Sequence, residues 1–488
     1  MSADGGGGVS YTAVDPDYFA KRGLRRHARV WSLWALGVGA VISGHFSGWN
    51  LGLAAGGFGG MVIATVLITI MYLGLCFCIA EMSPALPHTG GAYSFSRTAM
   101  GPWGGFVTGL AENLEFVLTP AVIVFFIGSY LSSIFGTPPG FTPVWWIGSY
   151  VVFVGLNIAG VELSFRLSVV VTVLALAILA VFWVSAIPHV DFARYALDVA
   201  PAAGGSAFLP FGWTGALAAL PFAVWLFLAI EQLPLAAEES HDPKRDMPKG
   251  LLLGIATLIF SAYMTMTLNS AIAPGAAALG KSGEPLLDGF KTIYGEGTAK
   301  VLALLAVVGL VASFHTIIFA FGRQIFSLSR AGYFPTFLSI THGERKTPHV
   351  ALVTGALVGL AVLLIAWFGA GSEKGGAFIG GALLNMAVFG AMISYILQAS
   401  AFIRLRIKCP RIERPYVSPL GVPGAVATIA IAAVTLGFQL SDPVYRQGVI
   451  GAVIWYGAGL LYFALYRRKY LVLSPEEEFA RRATSSAR

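Results

Sequence analysis

Twelve apolar stretches, each close to the length that crosses a hydrocarbon layer, recur along this chain and constrain its fold more than any other feature. They run over about 30–54, 58–80, 103–134, 144–160, 166–187, 213–236, 250–273, 299–321, 350–368, 378–403, 421–440 and 447–466. In hydrocarbon every backbone N–H and C=O must be bonded within the protein, which leaves helices or a closed barrel. Runs of this length predict helices, so the expected fold class is an all-α polytopic membrane protein. The third stretch is long enough to cross at a tilt. Pro188, Pro210, Pro243, Pro274, Pro348 and Pro443 fall in or beside the gaps, where chain breakers belong. Charged residues make up only 11% of the chain and mean hydropathy is +0.76; a soluble domain carries about 25% charged residues.

The net charge of +7 invites a nucleic-acid reading, but its distribution argues otherwise. With the N-terminus inside, 25 of the 31 lysines and arginines fall in cytosolic segments, and none lies mid-stretch. The outer segments hold only Arg194, Lys281, Lys291, Lys300, Lys374 and Arg446. That bias predicts an inner (plasma) membrane protein with both termini cytosolic, its basic loops against acidic lipid heads rather than nucleic acid. The first 29 residues are Gly-rich and then basic, without the apolar core of a cleavable signal, and read as a mobile cytosolic tail. Cys76, Cys78 and Cys409 make no disulfide framework.

The first stretch is interrupted by polar residues. After Val30 to Ile42 comes Ser43-Gly44-His45-Phe46-Ser47-Gly48-Trp49-Asn50, and then apolar residues resume. A helix unwound around a solute at the bilayer midplane accounts for such a break. Close helix packing is the simpler reading of Gly37, Gly39, Gly52 and Gly56, but it explains His45 and Asn50 poorly. The sixth stretch is also punctuated, with Glu231 and Gln232 between Pro221 and Pro234. Breaks at positions 1 and 6 predict two five-helix repeats of opposite orientation with the solute between them. The expected division is a tail (1–29), a first repeat (30–188), an inverted second repeat (212–403), two further helices (404–468) and a tail (469–488).

The segment Glu81-Met82-Ser83-Pro84-Ala85-Leu86-Pro87-His88-Thr89-Gly90-Gly91-Ala92-Tyr93 is similar to the loop after helix 2 in amino acid–polyamine–organocation transporters. Gly101-Pro102-Trp103-Gly104-Gly105-Phe106 resembles that superfamily's entry to helix 3. Further likenesses are Glu238 to Pro248 after helix 6 and Ser329 to Pro335 after helix 8. The resemblance implies a LeuT-like 5+5 inverted repeat plus two C-terminal helices, working by alternating access. Within the superfamily, His45 to Asn50, the run ending at Tyr93, and Ala111-Glu112-Asn113-Leu114-Glu115 most resemble bacterial ethanolamine permeases. Two departures matter. In amino acid carriers of the superfamily the amides of a Gly-rich run here bind the substrate carboxylate; in this chain His45 interrupts that run, and Ser47-Gly48-Trp49 follows. The fifth stretch also lacks the lysine that some proton-coupled relatives carry there.

A small amine cation at membrane depth calls for a carboxylate, an aromatic cage, or both. Glu112 and Glu115 share a face of stretch 3, and two acids there can repel until one keeps a proton. The competing reading is that one of the two is a structural acid bonded to backbone in the break of stretch 1. Glu231 is open to gating, capping, proton-binding or cation-binding roles. Ser43, Gly44 and His45 offer carbonyls and an imidazole, although a lone histidine is more often structural. Phe46, Trp49, Trp225 and Phe227 form the candidate cage, each alone being more simply packing. The substrate-binding set is thus Ser43, Gly44, His45, Phe46, Trp49, Glu115, Trp225, Phe227 and Glu231; the proton-coupling set is Glu112, Glu115, Glu231 and His45. Ser313 and Thr316 sit where some LeuT-like carriers hold sodium, but hydroxyls bonding back to their own helix are the favoured reading. The acids Glu238, Glu239, Asp242 and Asp246, among Lys244, Arg245 and Lys249, read as a cytosolic charge cluster or inner gate.

These features predict a secondary transporter importing a small amine, ethanolamine or choline, with a proton favoured over sodium as coupling ion. The alternative is an amino acid permease or exchanger of the same superfamily. A channel or receptor is a more distant rival. No enzyme, cofactor or metal site is expected: there is no Walker A loop, metal-ligand spacing or hydrolase elbow.

Overall fold

The computed structural model describes residues 8–15, 17–86, 90–370, 375–441, 446–473 and 478. Pro87, His88 and Thr89 of the helix 2 motif, Lys374, Pro443, Arg481, Arg482 and Arg488 lie outside the described residues. Among the described residues eleven helices are long and apolar enough to cross a membrane, and Val30–Phe46 is a shorter apolar helix that precedes them. Span 1 comprises Val30–Val41 and Ser43–Phe46 and resumes at Leu51. The helix Leu51–Ala85 carries both the end of span 1 and span 2, bent at Gly57 (φ 68°), where a side chain would collide with Pro210. Gly91–Phe135 likewise turns at Gly101 (φ 81°), separating a short helix from span 3. This left-handed conformation suits glycine at both corners.

Span 4 is Thr142–Ala159 and span 5 is Val161–Ala186. Span 6 is broken into Gly212–Ala218, Leu220–Trp225 and a 3₁₀ segment, Ile230–Glu239. Span 7 is Pro243–Ser270. Span 8, Leu304–Arg330, is the apolar part of a helix that follows a bend at Gly295 (φ 75°), before which a shorter helix starts at Pro285. Spans 9 to 12 follow as His349–Ala370, Gly375–Lys408, Gly421–Ser441 and Arg446–Leu465.

The packing follows an internal exchange of span n with span n+5. Span 1 packs on span 7 as span 6 packs on span 2, and span 3 packs on span 10 as span 8 packs on span 5. Spans 2 and 7, 3 and 8, and 4 and 9 pack on each other. Five crossings separate the members of each pair, so they run in opposite directions, which is the geometry of an inverted repeat.

Two expectations need correction. The amino-terminal segment is pinned rather than mobile: Tyr18 donates to the Arg330 carbonyl (2.9 Å), and Arg22 donates to Ser339 (2.8 Å). His27 and Ala28 pair their backbone with Glu239, and Tyr11 bridges to Leu471 near the other terminus. The second correction concerns Arg323, expected in a loop. The helix of span 8 runs on to Arg330, so Arg323 lies within it, fully buried.

Candidate functional site

The break in span 1 begins later than its composition suggests. Ser43 to Phe46 still make one helical turn; the chain then extends at Ser47 (φ −164°) and turns at Gly48 (φ 95°) before Leu51. Its amides are largely occupied. Ser43 donates to Ser313 Oγ (2.8 Å), His45 to the Ile42 carbonyl (3.0 Å), Ser47 to the Ser43 carbonyl (3.0 Å) and Gly48 to Asn50 Oδ1 (3.0 Å). Asn50 in turn donates to the Leu279 and Ser282 carbonyls at 2.6 and 2.8 Å. His45 is fully buried between three elements: Nε2 donates to the Leu226 carbonyl (3.0 Å), and Nδ1 lies 3.1 Å from the Ser261 hydroxyl.

Span 6 unwinds over Leu226 to Ala229, between its two prolines rather than at either. The corner is Ala229 at φ 81°, a left-handed conformation that costs a non-glycine residue roughly 1–2 kcal/mol. The two breaks interlock. Trp225 Nε1 donates to the Ser47 carbonyl (3.1 Å), and a side chain at Gly44 would collide with the Trp225 carbonyl. Gln232 donates to the Leu36 carbonyl (3.2 Å). Of the other aromatic candidates, Phe46 packs on Gly309 and accepts from Tyr130 (3.1 Å), and Trp49 is fully buried.

Just past the second break lies a cluster of buried acids. Glu231 meets Glu115 carboxyl to carboxyl, with the Tyr395 hydroxyl beside both. Glu115 Oε2 and both oxygens of Glu231 accept no full hydrogen bond among the described residues; the Tyr395 hydroxyl and the Ala229 and Glu231 amides lie near Glu231 without completing one. Glu112 differs, since its Oε2 accepts from Gln324 (2.8 Å). No ion pair among the described residues involves any of the three. The Tyr395 hydroxyl bonds that of Tyr72 (2.9 Å), and the Tyr72 ring lies 5.4 Å from that of Phe227. The structure therefore brings Glu115, Glu231 and Phe227 into one neighbourhood, and it gathers Ser43, Gly44, His45 and Trp225 into the interlock beside it.

Tyr72, Tyr395 and Gln324 were not singled out from sequence. Each is a polar tip in an apolar run, which is the signal that could have found them. In span 8, Thr316 bonds back to Ala312 and Ser313, as its helix predicts. Ser313 instead crosses to span 1, donating to the Gly39 carbonyl (2.7 Å). His315 lies 3.1 Å from both Asn157 and Ser164. The expected inner charge cluster is drawn to span 8: Glu239 pairs with Arg323 (2.8 Å) in full burial, and Glu238 pairs with Arg330 (3.0 Å). Lys244 pairs with Glu413 (2.9 Å).

A helical membrane protein with two interlocked broken spans and unpaired acids beside them belongs to the class of solute transporters. The chain matches the amino acid permease family over residues 29–460, and it belongs to that family. It is 29% identical to an uncharacterized transporter of Rhizobium meliloti, over 87% of this chain and 90% of the relative. It is 26% identical to the methylthioribose transporter of Bacillus subtilis and 22% identical to that organism's branched-chain amino acid permease BcaP. Each of these two alignments covers 93% of this chain and 96% of the relative.

Proposed function

We propose that this chain is a secondary active transporter that imports a small organic amine, ethanolamine or choline, by alternating access coupled to protons. In this reading both termini are cytosolic, and residues 30–188 and 212–403 rock against each other. The observation that carries it is the contrast in hydrogen-bond saturation. Four amides of the first break already have protein acceptors, and Trp225 packs against its glycines. A substrate carboxylate would have to displace those partners. In contrast, Glu115 Oε2 and both oxygens of Glu231 accept no hydrogen bond among the described residues; the primary ammonium of ethanolamine supplies three donors, whereas choline brings only its charge and one hydroxyl. Two buried carboxyls in contact cannot both ionise at modest cost. One carboxyl keeps a proton while the other, ionised, meets the cation, so proton and amine cross together and the two fluxes are coupled.

Uptake of labelled ethanolamine into proteoliposomes tests this. An imposed inward proton gradient, with membrane potential clamped, accelerates uptake; unchanged uptake removes the proton from the mechanism. Amino acids at the same concentration leave uptake intact. The second reading, an amino acid permease, is favoured by the relative named as a branched-chain amino acid permease. It gains if amino acids block uptake and their decarboxylated analogues do not.

A further inference from the structure

Beyond the transport site, a cavity of about 530 Å³ opens beside the amino-terminal strap at Arg25 to His27. Four guanidinium groups from three separate segments line it: Arg25 and Arg26 before span 1, Arg166 on span 5, and Arg345 between spans 8 and 9. Two carboxylates, Glu162 and Glu344, also face it, and Glu162 is engaged by Arg166. Arg25, Arg26 and Arg345 make no ion pair among the described residues. Four guanidinium groups face only two carboxylates, so the excess positive charge repels, and a bound anion relieves that. The planar fork of arginine matches phosphate oxygens two at a time. The first turn of span 5, which has no side-chain cap, forms part of the wall and adds its positive end.

One wall continues towards lipid. Leu163 lines the cavity and is 46% exposed, and the exposed residues Val170, Leu174 and Val181 follow it along span 5. An occupant can thus place a phosphate among the arginines and acyl chains on that stripe. We propose that this cavity binds the phosphate-bearing headgroup of an anionic phospholipid. His27 and His241 also line it, within the backbone strap that pairs Ala28 with Glu239 and His241. The bound lipid ties that strap to span 5. The site is independent of which solute the protein carries.

Native mass spectrometry of the purified full chain, titrated with phosphatidylglycerol, phosphatidylcholine or inorganic phosphate, tests the proposal. Phosphatidylglycerol binds in preference to phosphatidylcholine, and inorganic phosphate does not displace it. The double variant Arg25→Gln/Arg345→Gln loses about 30-fold in phosphatidylglycerol affinity, at about 1 kcal/mol per arginine. The exposed pair Arg404→Gln/Arg411→Gln, outside the cavity, leaves it unchanged. If the double variant does not fold, Arg345→Gln alone carries the test, with a loss of about 5-fold. Undiminished binding in the variant, an equal loss in the outside pair, or binding of inorganic phosphate without a preference for phosphatidylglycerol would each overturn the proposal.

Discussion

The breaks in spans 1 and 6 do the same thing to the backbone and opposite things to the chemistry. Span 1 unwinds through a glycine at positive φ, and Ser43 and His45 beside it bond to spans 6, 7 and 8, while Trp49 Nε1 finds no acceptor among the described residues. Span 6 unwinds through an alanine in a left-handed conformation, and two residues past the turn's end it delivers an acid with no donor among the described residues. In the proposed mechanism the first break is the scaffold, and the second, with Glu115 of span 3 facing it, holds the reactive groups. A break rich in polar residues need not be where the solute's charge is met.

Substitutions can break or sharpen that contrast. Glu231→Gln has the largest expected effect, since it removes a charge that a buried cation needs. Uptake efficiency falls at least about 100-fold, and Glu115→Gln does nearly the same, measured in proteoliposomes. If Glu115→Gln alone were tolerated, the two acids would not act together. Gly44→Ala forces a methyl group against the Trp225 carbonyl and lowers stability by about 1–3 kcal/mol, read by chemical or thermal unfolding in detergent. A stability loss in that range is also expected for His45→Phe, which strands the Leu226 carbonyl, at about 1–3 kcal/mol. Protein that still folds should keep its substrate affinity, because His45 serves the scaffold. Ala229→Gly is the mildest: relief of the left-handed alanine is partly offset by glycine's entropy, leaving stability unchanged or raised by up to about 1 kcal/mol.

Much of this was legible in the sequence where the signal is local. Span lengths follow from hydropathy alone, and Ser43 to Asn50 marked the first break because glycine, serine and histidine are costly at membrane depth. The second break was legible only as a region. Pro221 and Pro234 bracket it, but the turn itself carries no glycine or proline, since tertiary packing holds Ala229 in place. Contacts between distant segments left no trace. Glu239 and Arg323 are 84 residues apart and looked like separate loop charges until span 8 ran past its apolar end. The amino-terminal strap was read as a free tail for the same reason: its anchors, Ser339 and Arg330, lie more than 300 residues away.

The most direct test of the account is a paired binding measurement on the purified protein with ethanolamine and glycine, which share an amine and differ in hydroxyl against carboxylate. Isothermal titration should show ethanolamine binding to the wild type, no binding to Glu231→Gln, and no heat from glycine with either. Glycine binding as tightly as ethanolamine, and surviving in Glu231→Gln, would place substrate recognition at the first break and contradict the account.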